Sequence, residues 1–227
     1  MAEPAGAPRP DVSDMYAVHG VFRDTLGAAP GLVGDIAPGD SERVALIANY
    51  YDNILMFLHA HHDGEEALVF PNLRARCPSQ TELLDRLEAE HKAALALLGS
   101  AQTALAAWPG SGDTAAQAAA ADSLEALRVQ LCAHLDEEEA EALPLCVENL
   151  SMEEWGGLPG HAMANFHGDK IWLILGLIRE RMNDGQRAAM LEHMPPPAVE
   201  MWTNFGEQAF KDLYNLVVVE VHSRVPA

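Results

Sequence analysis

Two short blocks constrain this chain more than anything else in it: HHDGEEALVFP at residues 61–71 and HLDEEEAEALP at residues 134–144. Laid over each other they agree in register, with His61 on His134, Glu65 on Glu138 and Pro71 on Pro144. On a helix, residues i and i+4 share a face, with Cβ atoms about 6 Å apart, so each HxxxE pair can reach one metal or a metal and its neighbour. Each pair also has a histidine upstream. His19 precedes His61 by 42 residues, and His91 precedes His134 by 43. One HxxxE means little, because both residues are common on helices. Two in register, each with a matching upstream histidine, point to a two-metal site inside a four-helix bundle.

The remaining sequence supports helices. Alanine is abundant and β-branched runs are few, which favours helix. A first helix is expected from a cap at Asp11 or Ser13 to about Gly27, then a loop over 27–40. A second helix, capped by Asp40, reaches about Phe70, where Pro71 stops or kinks it. A third opens at Ser79 and ends at WPGSGD, 108–113; a fourth starts near Thr114 and meets Pro144. Each candidate ligand sits within an apolar stripe of helical period. Met15, His19, Phe22 and Leu26 form one such stripe, Leu84, Leu87, His91 and Leu95 another. Bundles build metal sites this way, from facing helices projecting inward. The expected architecture is all-α: an up-and-down four-helix bundle over residues 11–150, preceded by a disordered start at 1–10. A C-terminal helical extension covers 151–227, opened by a capping box of Ser151 with Glu154.

Six side chains converge in this reading: His19, His61, Glu65, His91, His134 and Glu138. The glutamates would bridge and each metal would take two imidazoles, a donor set suited to first-row metals. Leaving these groups in a leucine-lined core without a cation would cost many kcal/mol in desolvation. His62 and Glu66 follow the chosen ligands by one residue, about 100° round the helix. The repeat favours His61 and Glu65, and the shifted pair stays as the alternative. Tyr16, one turn before His19, is the candidate catalytic residue, as proton donor or further ligand; otherwise it is a packed tyrosine. Arg23 either pairs with a site carboxylate or lies on a solvated rim.

Composition bounds the partners. With 34 acidic against 14 basic residues, the formal charge is −20. That excludes a nucleic-acid partner and disfavours an anionic membrane surface. The longest apolar run, IWLILGLI at 171–178, is too short to span a bilayer. Three cysteines without a CxxC and no signal peptide give the expectation of a cytoplasmic protein without disulfides. No phosphate loop, GxSxG or HExxH marks it as a hydrolase.

The ordered set His … HxxxE … His … HxxxE resembles the hemerythrin-like (HHE cation-binding) domains over about residues 11–150. The form with a helical C-terminal region is similar to hemerythrin-domain proteins of actinobacteria. The resemblance implies two non-haem iron ions with an oxo or hydroxo bridge, manganese or zinc being the alternatives. It also implies that the six residues above are the ligands. Oxygen-carrying members have a fifth histidine four residues after the third-helix histidine, and an aspartate on the fourth helix. Here Leu95 and Glu138 stand in those places, which implies coordinatively open irons. The leading expectation is therefore an oxidoreductase acting on dioxygen, peroxide or nitric oxide. It would detoxify peroxide or nitric oxide, or oxidise a small organic substrate in a pocket covered by the extension and its aromatics. The alternative is a dioxygen- or iron-binding, sensing or storage protein without turnover. A homodimer is compatible with either.

Overall fold

The computed structural model describes residues 8–111 and 113–219, all helix, turn or loop with no strand among them. The expected disordered start falls on residues 1–7, outside the described residues, and on an irregular stretch at 8–12. Four long segments make the bundle: α1 (Ser13–Gly27), α3 (Ser41–Gly64), α5 (Thr81–Ser111) and α6 (Thr114–Glu137). Two caps fall where side-chain chemistry places them. Asp40 accepts from the Arg43 amide at 3.0 Å and Asp113 from the Ala116 amide at 2.7 Å. At α1 the flanking residue is Val12, which has no side-chain cap. The expected loop at 27–40 contains a short helix, α2 (Ala29–Gly34), whose Leu32 and Val33 are buried.

The prolines neither stop nor end their helices. After α3 the chain makes one π turn (Glu65–Val69) and continues as α4 (Phe70–Arg76). After α6 it makes a second (Glu138–Ala142) and continues as α7 (Leu143–Asn149). The Phe70 amide donates to the Glu65 carbonyl and the Leu143 amide to the Glu138 carbonyl, both i→i+5. In a regular α-helix, Pro71 and Pro144 would clash with the carbonyls of Ala67 and Ala140. One wide turn at that level relieves the clash, and in both cases the HxxxE glutamate opens it.

Past the bundle come α8 (Met152–Gly156), α9 (Leu158–Asn165), α10 (Ile171–Glu180), α11 (Asp184–His193), α12 (Pro196–Met201) and α13 (Glu207–Tyr214). The capping box of Ser151 and Glu154 opens α8. None of the described helices is long and apolar enough to cross a membrane. The extension packs on α1 and α3. Buried Asn53 on α3 pins its connecting loop, accepting from the Lys170 amide and donating to Asp169, both at 2.8 Å. Trp155 donates to Asp14 at 3.1 Å, and the Arg179 guanidinium lies 5.2 Å from the Trp202 ring centroid. Gly176 on α10 is required by close approach, since a Cβ there would enter the Phe210 ring on α13. Gly176→Ala is expected to lower stability by about 1–3 kcal/mol through overpacking, read as a drop in Tm.

Two apolar clusters result. One joins Phe22, Leu58, Ala94 and Leu131 to the extension through Leu173, Ile174 and Phe210. The other contains Met15, Val69, Leu87, Ala142 and Trp155. On each bundle helix the candidate ligands lie between a member of the first cluster and a member of the second. The polar layer is therefore closed above and below by hydrocarbon.

Candidate metal centre

Seven side chains meet in that layer. His19, His61, Glu65 and Glu138 offer ligand atoms all within 4.8 Å of one another, and His62, His91 and His134 do the same. All seven are buried. The glutamates stand between the groups. Glu65 Oε1 is 3.4 Å from His61 Nε2 and its Oε2 is 3.5 Å from His91 Nε2. Glu138 Oε2 is 3.5 Å from His19 Nε2 and 3.6 Å from His134 Nε2.

The six residues expected from the repeat are thus brought together, and the structure adds His62. Its ring stacks on His91 at 4.0 Å between centroids, tilted by 15°. His61 turns the other way, 5.3 Å from His19 and from Phe22. The 100° between successive residues carries His62 from the α1 side of α3 to the α5 side, not to solvent. One sequence signal could have found it: the matching residue of the second block is Leu135, which is apolar and fully buried. Of the shifted pair, His62 lies in the cluster beside His61, and Glu66 lies outside it, at the rim, as a partner of His91. Leu95 is exposed, and the buried stripe of α5 runs through Ala94 and Leu98. The position four after His91 therefore does not face the layer.

Tyr16 requires correction as a catalytic candidate. It is 48% exposed on the outer side of α1, whereas His19 is fully buried. Arg23 pairs not with a ligand but with Glu139 at 3.1 Å and Asp136 at 2.9 Å. Of the other histidines, His161 meets Asp63 at 2.7 Å, His167 and His193 are at the surface, and His222 lies outside the described residues.

Three rings are oriented from outside by carboxylates. The Nδ1–H of His19 donates to Glu139 at 2.9 Å, that of His91 to Glu66 at 3.2 Å, and that of His134 to Glu90 at 2.9 Å. Such partners fix the tautomer and leave Nε2 as a bare lone pair facing inward. The Nε2 atoms of His91 and His134 are 3.1 Å apart, a lone-pair contact that calls for a cation between them. A proton suits poorly, because burial and the neighbouring His134 push His91 down to about 3. Burial also lowers His61 and His62 well below the usual imidazole range. Burial, then the charge of Glu138, holds Glu65 well above the carboxylate range. Among the described residues, Nε2 of His19, His61 and His62, both oxygens of Glu65 and Oε2 of Glu138 are buried without a hydrogen-bond partner. Buried polar atoms are rarely left so. Six of them aimed at one space fit a metal centre. Glu90→Ala, which frees only the His134 ring, is expected to cost 10–100-fold in metal affinity with little change in fold, measured by chelator competition.

A family model for the hemerythrin HHE cation-binding domain matches residues 11–146. The chain belongs to the hemerythrin HHE cation-binding family. The match ends within α7, so the HHE domain holds all seven clustered residues and the extension lies beyond it. Comparison with curated proteins and with solved structures gave no match.

Proposed function

We propose that the HHE domain of this protein holds a pair of non-haem irons and acts as an oxidoreductase on dioxygen, peroxide or nitric oxide. The observation that carries the reading is the unequal donor set. His62, His91 and His134 would serve one metal, His19 and His61 the other, with Glu65 and Glu138 shared. Imidazole and carboxylate donors suit iron and leave manganese and zinc as competitors. When bound, a reduced iron pair supplies electrons to a small oxidant.

The chain's own residues do the rest. Three imidazoles fill more of one metal's positions than two fill of the other's, so a small ligand is expected on the side of His19 and His61. Phe22 packs on His61 there and the apolar layers keep bulk water out. Glu139 holds the His19 ring through Nδ1, and Arg23 ties Glu139 to α6 by donating to the Cys132 carbonyl. Three of the extension's aromatics do not support the expected organic-substrate pocket, while Phe205 is exposed beside Trp172. Trp155 and Trp202 are buried in the two apolar clusters, and Phe210 packs on Gly176. Turnover of the small oxidant itself is the form of the activity we favour.

A second reading, reversible binding or sensing without turnover, gains from the outward position of Tyr16, which removes the expected proton donor. Metal content and the optical spectrum of protein expressed with added iron come first, followed by titration of the reduced form. About two irons per chain with multiple turnovers of peroxide or nitric oxide would support the enzyme. A stable dioxygen adduct without turnover would support the second reading. Zinc alone after anaerobic reconstitution would overturn both.

A further inference from the structure

A cleft of about 160 Å³ lies where the extension crosses the bundle. Val21 and Thr25 of α1, Leu32 of α2 and Tyr50 of α3 form one side, and Leu177 of α10 with Tyr214 of α13 the other. It is separate from the metal centre, because none of the seven clustered residues lines it. Val21 follows His19 by two residues, about 200° round α1, so the cleft uses the opposite face of that helix.

Tyr50 makes this more than a packing gap. It is 3% exposed, lines the cleft, and its hydroxyl has no hydrogen-bond partner among the described residues. The adjacent Tyr51 shows the usual outcome, donating to the Thr25 carbonyl at 2.9 Å. A phenol packed inside a protein normally finds a partner; this hydroxyl opens onto the cleft, with Asp24 and Tyr214 beside it and the apolar wall of Val21, Leu32 and Leu177 around it. At the mouth, Arg181 is already paired with Asp24, and Glu180 adds a further carboxylate. Two acids against one guanidinium disfavour an anion. The volume matches that of apolar protein cavities, about 150 Å³, that accept a benzene-sized molecule.

We infer that this cleft is a binding site for a small uncharged molecule of one ring bearing a single hydroxyl or carbonyl group, its ring against Val21, Leu32 and Leu177 and its polar group on the Tyr50 hydroxyl. The inference is independent of the metal chemistry, and the ligand would bridge the HHE domain and the extension.

The test is a ¹⁹F NMR titration of 4-fluorophenol, fluorobenzene and 4-fluorobenzoate against the full chain loaded with metal. Saturable binding of 4-fluorophenol at one site per chain, with 4-fluorobenzoate weaker, is the expected result. Tyr50→Phe keeps the ring and removes the hydroxyl. It should weaken 4-fluorophenol about 2–10-fold, the worth of one uncharged hydrogen bond, and leave fluorobenzene unchanged. Ala28→Trp plugs the mouth from an exposed position in the turn between α1 and α2 and should abolish binding of both, with metal content and circular dichroism unchanged. No saturable binding, or binding that survives Ala28→Trp, would overturn the site. Equal 4-fluorophenol affinity in Tyr50→Phe, or benzoate binding as tightly as phenol, would overturn the assigned ligand chemistry.

Discussion

Glu65→Met is expected to empty the metal centre while making the metal-free protein more stable. Both Glu65 oxygens are buried and unpartnered, between His61 on one side and His91 on the other. The carboxylate is thus shared by both halves of the cluster, and its loss removes a donor from each. Metal content should fall from about two per chain to near zero. The metal-dependent rise in stability, about 4 kcal/mol at a thousandfold excess over Kd, should go with it. Without metal the sign reverses. Met removes a buried carboxyl that has no hydrogen-bond partner, a group whose burial costs about 1–3 kcal/mol. The pH dependence follows the same logic. Glu65 has its folded pKa raised above the ordinary 4.5, so its contribution is fully favourable below that value and lost as pH rises through the folded one. His61, His62 and His91 are lowered from 6.5, so theirs is present above 6.5 and lost as pH falls toward the folded values. No pH satisfies all four without metal, and Glu65→Met should flatten the alkaline side of the metal-free stability curve. Calorimetry with and without chelator measures both signs. A variant that kept two metals would sink the shared-carboxylate geometry.

His62→Leu is expected to disable one half of the centre only. Leucine is what the second block carries at the matching position, Leu135, where it is fully buried, so the substitution suits the packing. The half served by His91 and His134 would lose one of three imidazoles. Affinity there should fall by more than the roughly 100-fold that loss of an outer carboxylate costs. Metal content should drop toward one per chain under mild chelation, with His19 and His61 still holding theirs. Elemental analysis after dialysis decides it. Two metals retained at unchanged affinity would mean that four imidazoles suffice and that His62 only stacks on His91.

Most of the centre could be read from periodicity. A metal layer needs its donors at one height on several helices, and helical spacing expresses that directly: Met15, His19 and Phe22 on α1, Leu87, His91 and Ala94 on α5. The repeat supplied the other four residues. What escaped depends on neighbours rather than spacing. Tyr16 is one turn from His19, yet the exposed side of α1 begins between them. Leu95 continues the apolar count after His91, but the bundle turns that position outward and buries Ala94. Pro71 and Pro144 read as stops or kinks; the helix goes on past each through one wide turn, which relieves the clash with the carbonyl four residues back.

The sequence by itself determined the four long helices, the HHE family and six of the seven clustered residues, because each depends on local period or on a repeat in register. Only the tertiary structure decided that His62 joins them. Residues 100° apart on one helix cannot both face a single neighbour, but α3 is covered on two sides, and each of its adjacent histidines faces a different helix. The outer carboxylates Glu66, Glu90 and Glu139, and the cleft at Tyr50, were settled the same way. They rest on contacts between chain segments far apart in sequence, which no local pattern encodes.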